Sequence, residues 1–599
     1  GWFEDVYFCV HKGDQFIPIR LKHKENKDGI VYFETEEDIF LETRAIYKYY
    51  FSYKVDGFRR FVKKEDTVGP DGIALEEMFK MSVNFKAPEW AKGRMMYHIF
   101  VDRFNRGSSE PMKEMPRRHI HNSWDEPIVV EGDEQGIWNN DFYGGDLKGI
   151  TQKLDYIESL GVEILYLSPI VYSQSTHRYD ASDYEVVDPY AGTMEDLKEL
   201  CDEAHKRGMK VVLDAVFNHT GSDSKYFNKY QNEEWIESEH DKGAYHDSES
   251  KYSKFYKKVY GADGKIYQKY WWGFDTLPVC DGQSLEWQEY ITGVGGVIDK
   301  WFDQGIDGLR LDVADELTDY YIELIRQAVH RNKEDGFILG EVWENPMYMR
   351  DEYGNKRTYI ESGKGMDTVM NYNFIKALIR YFRYGESNEL AGKIKECRDS
   401  YPEDTFYTVM NFTSTHDMTR GVSLWDSAIF NYHGKWPWNL NNEDHKWAQS
   451  YKMSPEQLEE AKNILQAYVF FLTFYPGILS VFAGDEMGVP GVGNLDNRKT
   501  MPWNNPDEML IDFFKTIGAI RKEETFMHTA DIRVRNINPN YAAFERIKDE
   551  ERILVVINRT CEEQQFIVPE EYKEAKKVYS LKKSKTGQLG PYGGIAIKK

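Results

Sequence analysis

Four short segments, each preceded by a run of apolar or β-branched residues, constrain the fold of this chain more than any other feature. They are residues 214–219, 308–312, 340–343 and 414–417. Each carries an acid, an arginine or a histidine at or near its end. A buried parallel strand delivers polar groups in this way, from its carboxyl-terminal tip. The pattern therefore predicts parallel strands that bring polar side chains to one edge of a sheet.

Strand-like runs alternate with helical segments through the middle of the chain, which argues for parallel βα units. The predicted strands are residues 95–101, 163–168, 210–216, 306–312, 337–341, 368–371, 406–411 and 477–482. Eight such units predict an α/β fold, a (β/α)8 TIM barrel with its site at the carboxyl-terminal strand ends. The alternative, an open doubly wound sheet, would want a Gly-rich dinucleotide turn near its start, and the sequence has none.

The remaining segments predict smaller modules around this barrel. Residues 1–87 are aromatic and β-rich and predict a small N-terminal β-domain, joined by a linker at 87–93. The barrel should occupy 88–524, and a helical stripe at 511–522 falls near its end. The gap at 219–300 is too long for a structureless loop, so it predicts an inserted subdomain after the third strand. Short β-like runs predict a C-terminal β-sandwich at 525–599.

Charge and cysteine usage exclude several classes of partner. The chain of 599 residues has 76 Lys and Arg against 100 Asp and Glu, a net charge of −24, so binding to nucleic acid or to an anionic membrane is not expected. No run of 18 apolar residues occurs that would predict a membrane span. The five cysteines are far apart and form no C-x-x-C pair, which fits a reducing compartment. We expect a cytoplasmic protein, although the start at Gly1 leaves secretion open.

The acids at the predicted strand ends suit the cleavage of a glycosidic bond. A retaining mechanism needs one carboxylate as nucleophile and one carboxylic acid as proton donor. Asp312 and Glu341 can fill these roles, and Asp417 can bind a substrate diol and stabilise a cationic transition state. Arg310 lies two residues before Asp312, on the same side of the strand, and can keep it ionised. Trp343 beside Glu341 supplies a less polar environment for the acid.

Two groups of residues have a second interpretation. His219 and His416 can hydrogen-bond sugar hydroxyls, or they can bind a metal together with acids, but no H-x-x-x-H pair is present. The insert contains a cluster of aromatic residues that forms either its own core or a wall on which sugars stack. This cluster comprises Tyr267, Tyr270, Trp271, Trp272 and Phe274.

Taken together, the four segments resemble the conserved regions of the α-amylase family, glycoside hydrolase family 13. The resemblance extends from about residue 95 to the C-terminus. It implies that Asp312 is the nucleophile, Glu341 the acid/base and Asp417 the residue that stabilises the transition state. The positions that bind substrate in this family are occupied here by Arg310, His219 and His416.

Other family positions add to the expected site. Residues 177–180 resemble the family's H-G-Y-D segment, which implies that Tyr179 stacks under the sugar at the cleavage point, next to His177. Arg178 replaces the family's glycine, which could alter access to the site. Asp214 and Asn218 match positions that shape the site, and Asn218 matches a calcium ligand of some members.

Several segments are similar to one group within the family, the neopullulanases, cyclomaltodextrinases and maltogenic amylases. They are residues 97–104, 142–147 and 312–316, the last ending in Glu316. Asp496 and Arg498 lie in a segment similar to one that binds the non-reducing side of the glucan. The N-terminus resembles the tail of a family 34 carbohydrate-binding module, which often builds a dimer, so a monomer or a homodimer is expected.

The resemblance implies a retaining α-glucan hydrolase that cleaves α-1,4 bonds of maltooligosaccharides, cyclodextrins, pullulan or starch. The expected route is a double displacement through a covalent glycosyl-enzyme, with some transglycosylation. No cofactor is expected for the chemistry, and a structural calcium is a further expectation. The alternatives are an α-glucosidase or glucanotransferase of the same family, and a non-catalytic glucan-binding protein, which the three carboxylates disfavour.

Overall fold

The computed structural model describes residues 3–12, 15–38, 40–42, 44–64, 68–69, 73–236, 242–431 and 442–599. Small parts of the predicted N-terminal domain, and residues 237–241 of the predicted insert, lie outside the described residues. The strands are β1 Glu4–Lys12, β2 Gln15–Arg20, β3 Lys22–Lys27, β4 Ile30–Glu34, β5 Arg44–Val55, β6 Phe58–Val62, β7 Val68–Gly69, β8 Phe79–Val83, β9 Met95–Ile99, β10 His119–Ile120, β11 Asp141–Phe142, β12 Ile164–Leu167, β13 Val171–Ser173, β14 Ala181–Val187, β15 Lys210–Ala215, β16 Lys258–Tyr260, β17 Ile266–Gln268, β18 Gly308–Leu311, β19 Phe337–Gly340, β20 Thr368–Val369, β21 Met410–Phe412, β22 Ile478–Phe482, β23 Asp531–Ile537, β24 Tyr541–Lys548, β25 Glu551–Asn558, β26 Gln564–Gln565, β27 Lys577–Leu581, β28 Gln588–Leu589 and β29 Gly594–Lys598. The helices are α1 Leu147–Gln152, α2 Leu154–Ser159, α3 Met194–Lys206, α4 Leu285–Thr292, α5 Val297–Phe302, α6 Asp319–Asn332, α7 Tyr372–Tyr384, α8 Ser387–Ser400, α9 Glu403–Thr408, α10 Ser427–Asn431, α11 Asn442–Ser450, α12 Pro455–Phe474 and α13 Glu508–Glu523.

Eight parallel strands form the central barrel, which confirms the predicted TIM-barrel fold. Their order is β20-β19-β18-β15-β12-β9-β22-β21, and a parallel bridge between Met370 and Met410 joins the two outer strands. Ile, Val, Leu and Phe dominate these strands because helices cover the outside and side chains fill the inside. All strand carboxyl ends therefore point to one face, where the loops meet.

Local sequence signals set the helix ends. Thr193 begins α3 by accepting a hydrogen bond from the amide of Asp196 at 3.1 Å, and the Asp196 carboxylate accepts the Thr193 amide at 2.9 Å. This reciprocal pair satisfies two amides that a helix start leaves free. Gly385 ends α7 with a φ of 73°, a left-handed conformation that suits glycine.

Two β-sheets flank the barrel. The N-terminal sheet has the order β2-β1-β5-β6-β7 with β8 on β5, and the C-terminal sheet has the order β23-β24-β25-β29-β27. The N-terminal sheet contacts the end of α8, where the Lys80 Nζ donates to the Tyr401 carbonyl at 2.6 Å. The C-terminal sheet packs on α12 through Phe544 and Phe471, whose ring centres are 4.9 Å apart.

The structure corrects one predicted strand and adds detail to two other segments. The strand predicted at 406–411 begins only at Met410, because α9 runs through Thr408 after Pro402 and two acidic residues start that helix. Within the predicted linker, Ala91 is fully buried. The gap between β15 and β18 also contains the helices α4 and α5.

None of the helices in the described part of the chain has the length and apolar character needed to cross a membrane.

Candidate active site

The tips of three neighbouring strands place the acids and Arg310 side by side. Asp214 in β15 is the direct register partner of Arg310 in β18, and Leu311 is the partner of Gly340 in β19. Asp312 and Glu341 are the next residues after β18 and β19. Because parallel strands end at the same face of a barrel, these side chains converge as the sequence predicts.

Arg310 connects three carboxylates through its guanidinium group. Its NH1 donates to Asp214 Oδ1 at 2.8 Å and to Asp312 Oδ1 at 2.9 Å. Its NH2 lies 2.8 Å from Glu341 Oε2. A planar guanidinium can hold several carboxylates in a fixed arrangement in this way, which an ammonium group cannot do.

Burial and charge act in opposite directions on this cluster. Burial raises the pKa of Asp312 well above its usual value, Arg310 lowers it, and Glu341 and Asp214 raise it further. Burial opposes the charge of Arg310, but Asp214 and its other anionic neighbours keep the pKa of that guanidinium well above its usual value. The cluster therefore carries a permanent cation and binds a proton more tightly than isolated carboxylates would.

Glu341 is held at both oxygens. The Trp343 indole donates to Oε1 at 2.9 Å, and the backbone amide of Val313 donates to Oε2 at 2.9 Å. Val313 adopts a left-handed conformation, with φ 40° and ψ 50°, which is unfavourable for a β-branched residue. This strained conformation directs the Val313 amide at the Glu341 carboxylate. The Trp343 ring stacks on Tyr372 with a centroid distance of 3.9 Å, which fixes the indole.

Tyr179 links the other acids of the site. Its hydroxyl donates to Asp214 Oδ2 at 2.7 Å and lies 2.7 Å from His416 Nε2. The two rings are nearly parallel, with centroids 5.2 Å apart. His416 Nε2 is also 3.1 Å from Asp417 Oδ2. Burial and the nearby Arg498 and Arg310 lower the pKa of His416 well below its usual value, so the ring is neutral and its Nε2–H can donate.

The remaining predicted histidines hold the backbone of Tyr179. His219 Nε2 lies 3.1 Å from the Tyr179 carbonyl, and the Tyr179 amide donates to His177 Nδ1 at 3.0 Å. Burial lowers the pKa of His219 to about 4, so it is neutral near pH 7 and Nε2 donates. In the structure both histidines therefore position the tyrosine.

Of the two residues predicted from the 496–498 segment, only Arg498 contacts the predicted catalytic triad, Asp312, Glu341 and Asp417. Its Nε donates to the His416 carbonyl at 3.1 Å, and its NH2 lies 3.4 Å from Asp417 Oδ1. Asp496 is buried beside Lys499 and accepts the Val492 amide at 3.0 Å. In the described residues it makes no hydrogen bond or ion pair with Asp312, Glu341 or Asp417, because its carboxylate closes its own loop.

Arg178 does not point into the cleft. Its φ is 62°, the left-handed conformation that a glycine adopts easily, but the arginine is almost fully buried. Its NH2 lies 3.4 Å from Asp188 Oδ1, and its guanidinium lies over the Phe142 ring. The side chain therefore leaves the approach to Tyr179 open.

The described side chains do not form a metal centre around Asn218. Its Nδ2 is 3.2 Å from His219 Nδ1, so the amide is turned to the histidine. Nowhere in the described part of the chain do three His, Cys, Asp or Glu side chains converge in a way that could hold a metal ion. Within those residues neither His219 nor His416 belongs to a group of that kind.

Sequence analysis missed two buried residues behind the acids. The Tyr166 hydroxyl donates to Asp214 Oδ2 at 2.7 Å, and His98 stacks on the Tyr166 ring with a centroid distance of 4.2 Å. The two are register partners in β12 and β9, each one residue before the end of its strand. A side chain with a polar group in the interior of an otherwise apolar predicted strand, as in 95–101 and 163–168, is the signal that could have identified them.

Comparison with known proteins agrees with this geometry. Residues 98–533 match the family described as alpha amylase, catalytic domain. An amylopullulanase of Thermoanaerobacterium saccharolyticum is 32% identical over 585 residues, covering 87% of this chain and 42% of the relative. Neopullulanase 2 of Thermoactinomyces vulgaris is 29% identical over 505 residues, covering 81% of this chain and 73% of the relative. A solved cyclomaltodextrinase structure matches with a TM-score of 0.69 at 22% identity, over 99% of this chain and 94% of that one.

The chain spans only 42%, 29% and 35% of the length of three amylopullulanases that it resembles. The match to the catalytic domain nevertheless covers most of the chain, including every strand tip described above. This chain belongs to the α-amylase family, glycoside hydrolase family 13.

Proposed function

We propose that this chain is a retaining α-glucan hydrolase that cleaves α-1,4-glucosidic bonds. The observation that carries the proposal is the contact of one guanidinium, that of Arg310, with both Asp312 and Glu341. When the two terminal nitrogens of one arginine each contact a carboxyl group, the two carboxyl groups lie close together. This arrangement favours the carboxyl–carboxyl distance of retaining enzymes, about 5–5.5 Å, over the wider distance of inverting enzymes.

In the first step Asp312 attacks the anomeric carbon while Glu341 donates its proton to the leaving glucosidic oxygen. The old C–O bond breaks and a bond from carbon to Asp312 forms. Arg310 NH1 favours the ionised form of Asp312, which the attack on the anomeric carbon requires. Asp417 stabilises the positive charge that develops on the sugar ring, and Tyr179 provides a flat ring below it.

In the second step Glu341, now ionised, removes a proton from the incoming water. The resulting oxygen nucleophile attacks the anomeric carbon and releases Asp312, so the α-configuration is retained. A sugar hydroxyl in place of water gives a transglycosylation product by the same route. Trp343 and the Val313 amide fix the oxygens of Glu341 for both transfers.

The names of the relatives support substrates of the α-glucan class, namely maltooligosaccharides, cyclodextrins, pullulan and starch. The test is product analysis on β-cyclodextrin, pullulan and soluble starch, with the anomeric form of fresh product read by NMR. Release of the α-anomer first, with loss of activity in Asp312→Asn by roughly four orders of magnitude, is the expected result. Full activity in Asp312→Asn would refute the proposal.

The same product analysis separates the alternatives. Activity confined to short maltosides would identify an α-glucosidase, and disproportionation without net hydrolysis would identify a glucanotransferase. Binding of glucan without turnover would identify a binding protein.

We also propose that the protein works in the cytoplasm, as a monomer or homodimer, on a glucan substrate. The five free cysteines, Cys9, Cys201, Cys280, Cys397 and Cys561, support a reducing compartment. The proposed chemistry uses only side chains of the protein and a structural calcium would not take part in it, so catalysis should persist after EDTA treatment. Loss of both activity and thermal stability in EDTA, with recovery on adding calcium, would establish a calcium site. Analytical ultracentrifugation distinguishes monomer from dimer.

A further inference from the structure

The segment 97–104 contains a buried arginine that the proposed chemistry does not use. Arg103 lies shortly after β9, on the barrel face where the strands end, and its side chain is buried. Its Nε donates to Asp102 Oδ2 at 2.6 Å, and its NH2 donates to Asp141 Oδ2 at 3.2 Å. Burial opposes the charge of Arg103, but Asp141 and Asp102 raise the pKa of its guanidinium above the usual value. The side chain is therefore a permanent cation whose charge two aspartates compensate.

The third nitrogen of this guanidinium holds the backbone of Arg498. Arg103 NH1 donates to the Arg498 carbonyl at 2.6 Å. The Met501 amide donates to the Arg103 carbonyl at 3.0 Å. Arg103 therefore contacts the 498–501 loop with both its side chain and its backbone.

The same loop is fixed to the segment of Asp417 from its other side. Asn497 Nδ2 donates to the His416 carbonyl at 2.9 Å, and Arg498 Nε donates to that carbonyl at 3.1 Å. Arg498 NH2 lies 3.4 Å from Asp417 Oδ1. Asn497 and Arg103 thus support Arg498 from two sides, and together they define where its guanidinium meets Asp417.

We propose that Arg103 is a positioning residue of the active site, which acts on Asp417 by fixing the backbone of Arg498. Asp417 stabilises charge that develops in the transition state, and such an interaction is sensitive to displacements of an ångström or less. An arginine suits this position because its planar fork reaches two carboxylates and a carbonyl at once, which an ammonium group cannot do. This inference rests on the proposed function and adds a support to its machinery.

The test compares the full chain with its Arg103→Lys variant. The substrate is the one among soluble starch, β-cyclodextrin and pullulan that the unmodified chain cleaves fastest. Lysine keeps the positive charge but loses the fork. The kcat value should fall roughly 10- to 100-fold while KM stays within about twofold, because Asp417 acts mainly in the transition state.

A double variant separates positioning from a loss of folded protein. If Arg103 acts through Arg498, Arg103→Lys should lower kcat little further in an Arg498→Lys background. A smaller folded fraction would instead lower kcat by the same factor in both backgrounds.

Arg521→Lys is the matched control for a buried arginine that binds backbone carbonyls. Arg521 donates to the carbonyls of Gly93 and Gly477, which precede β9 and β22 at the opposite face of the barrel. The kcat value per folded molecule, with folding measured by circular dichroism, should equal that of the unmodified chain.

Asp102→Asn gives a second, milder route to the same displacement and covers the case in which Arg103→Lys does not fold. Asp102 Oδ1 accepts the Gly144 amide at 3.0 Å, while Oδ2 accepts Arg103 Nε. Asparagine keeps one acceptor for the amide but presents an NH2 group to the arginine. The kcat value should fall, and a crystal structure should show Arg498 NH2 farther from Asp417 Oδ1 than 3.4 Å.

Several results would overturn the inference. One is a kcat value of Arg103→Lys equal to that of the unmodified chain, and another is losses that multiply in the double variant. An Arg498 side chain that stays in place in Asp102→Asn, with unchanged kcat, would do so as well. If the unmodified chain cleaves none of the three glucans, the proposed function fails too, whereas an active chain confines the failure to the role of Arg103.

Discussion

At the scale of single residues, Arg310 organises the site. It is fully buried, its register partner is Asp214, and its guanidinium contacts Asp214, Asp312 and Glu341. Removing one partner from a buried charged cluster leaves the others uncompensated. The positions of Asp312 and Glu341 are therefore set by the same side chain.

Arg310→Lys should lower kcat by about 100-fold or more, because an ammonium group cannot hold both carboxylates in their orientation. Steady-state hydrolysis of soluble starch measures this. Arg326→Lys is the control, since Arg326 donates to Asp367 Oδ1 at 2.9 Å, before β20 and away from the strand tips. Unchanged kcat in Arg310→Lys would contradict the role given to the guanidinium.

Trp343→Phe should lower kcat roughly tenfold, because it removes the hydrogen bond on Glu341 Oε1 but keeps an aromatic ring against Tyr372. Trp301→Phe is the matched change elsewhere, since the Trp301 indole donates to the Tyr184 carbonyl at 2.9 Å. It should leave kcat unchanged. Equal kcat values for the two variants would show that the indole does not position the acid.

The sequence predicts which acids converge at the strand ends, but it does not predict the contacts that support them. Asp312, Glu341 and Arg310 lie at the ends of apolar runs, so their convergence follows from the barrel alone. The hydrogen bond from the Val313 amide to Glu341 depends on a left-handed backbone at Val313. The presence of a valine in the sequence does not predict that conformation. The turn of Asp496 towards its own loop likewise depends on tertiary contacts.

At the scale of elements, the contact between β8 and the end of α8 joins the N-terminal sheet to the barrel. The partly buried Lys80 Nζ donates to the carbonyls of Arg398 and Tyr401, the first of which is in the last turn of α8. Burial, with a smaller effect of Lys48, lowers the pKa of Lys80 to about 8. The ammonium group satisfies carbonyls that a helix end leaves without partners.

Lys80→Met should lower the free energy of unfolding by about 1–3 kcal/mol, because buried carbonyls lose their donor. The thermal midpoint of the full chain and the rate of proteolysis at the N-terminal sheet measure this effect. Lys22→Met, in the exposed strand β3, should change neither. An unchanged midpoint in Lys80→Met would show that the sheet is held by other contacts.

Helices and strands could be predicted wherever the apolar residues recur with a clear periodicity. The helical stripe at 511–522 is α13, and the alternating C-terminal runs are β23, β24 and β25. The strand predicted at 406–411 was wrong over its first half, since Phe406 and Tyr407 are buried on a short helix. A short apolar run is consistent with either element, and only packing decides between them.

At the scale of the whole molecule, several buried histidines make stability depend on pH. Burial lowers the pKa of His528 to about 4, and its Nε2 lies 3.1 Å from the Arg521 carbonyl, away from the triad. Because this folded-state pKa is below the unfolded value of about 6.5, the unfolded chain binds more protons between these values. Stability from this group is complete above about pH 6.5 and is lost as the pH falls towards 4.

His528→Gln should therefore make the fall in stability between pH 6.5 and 4.5 less steep, by up to about 1.4 kcal/mol per pH unit. Glutamine can still donate to the Arg521 carbonyl, so stability at pH 7.5 should change little. Denaturation profiles of both proteins across this range give the comparison. Parallel profiles would show that His528 does not contribute to the pH dependence.

The overall architecture follows from the sequence because eight apolar runs separated by helical segments have few other ways to bury their surface. The course of the insert does not follow from it, since Trp271 and Trp272 reach Glu316 through a backbone turn that no local pattern predicts. The central barrel and the two flanking sheets were predictable, whereas their mutual contacts were not.

The assignment of Asp312 as the nucleophile is the central claim, and trapping the covalent intermediate tests it most directly. A fluorinated α-glucosyl fluoride that slows the second step should inactivate the enzyme with one glucosyl unit bound. Mass spectrometry of the digested protein should place that unit on the peptide containing Asp312, and Asp312→Asn should remain unlabelled. A label on another carboxylate, or turnover that inverts the anomeric configuration, would contradict the account.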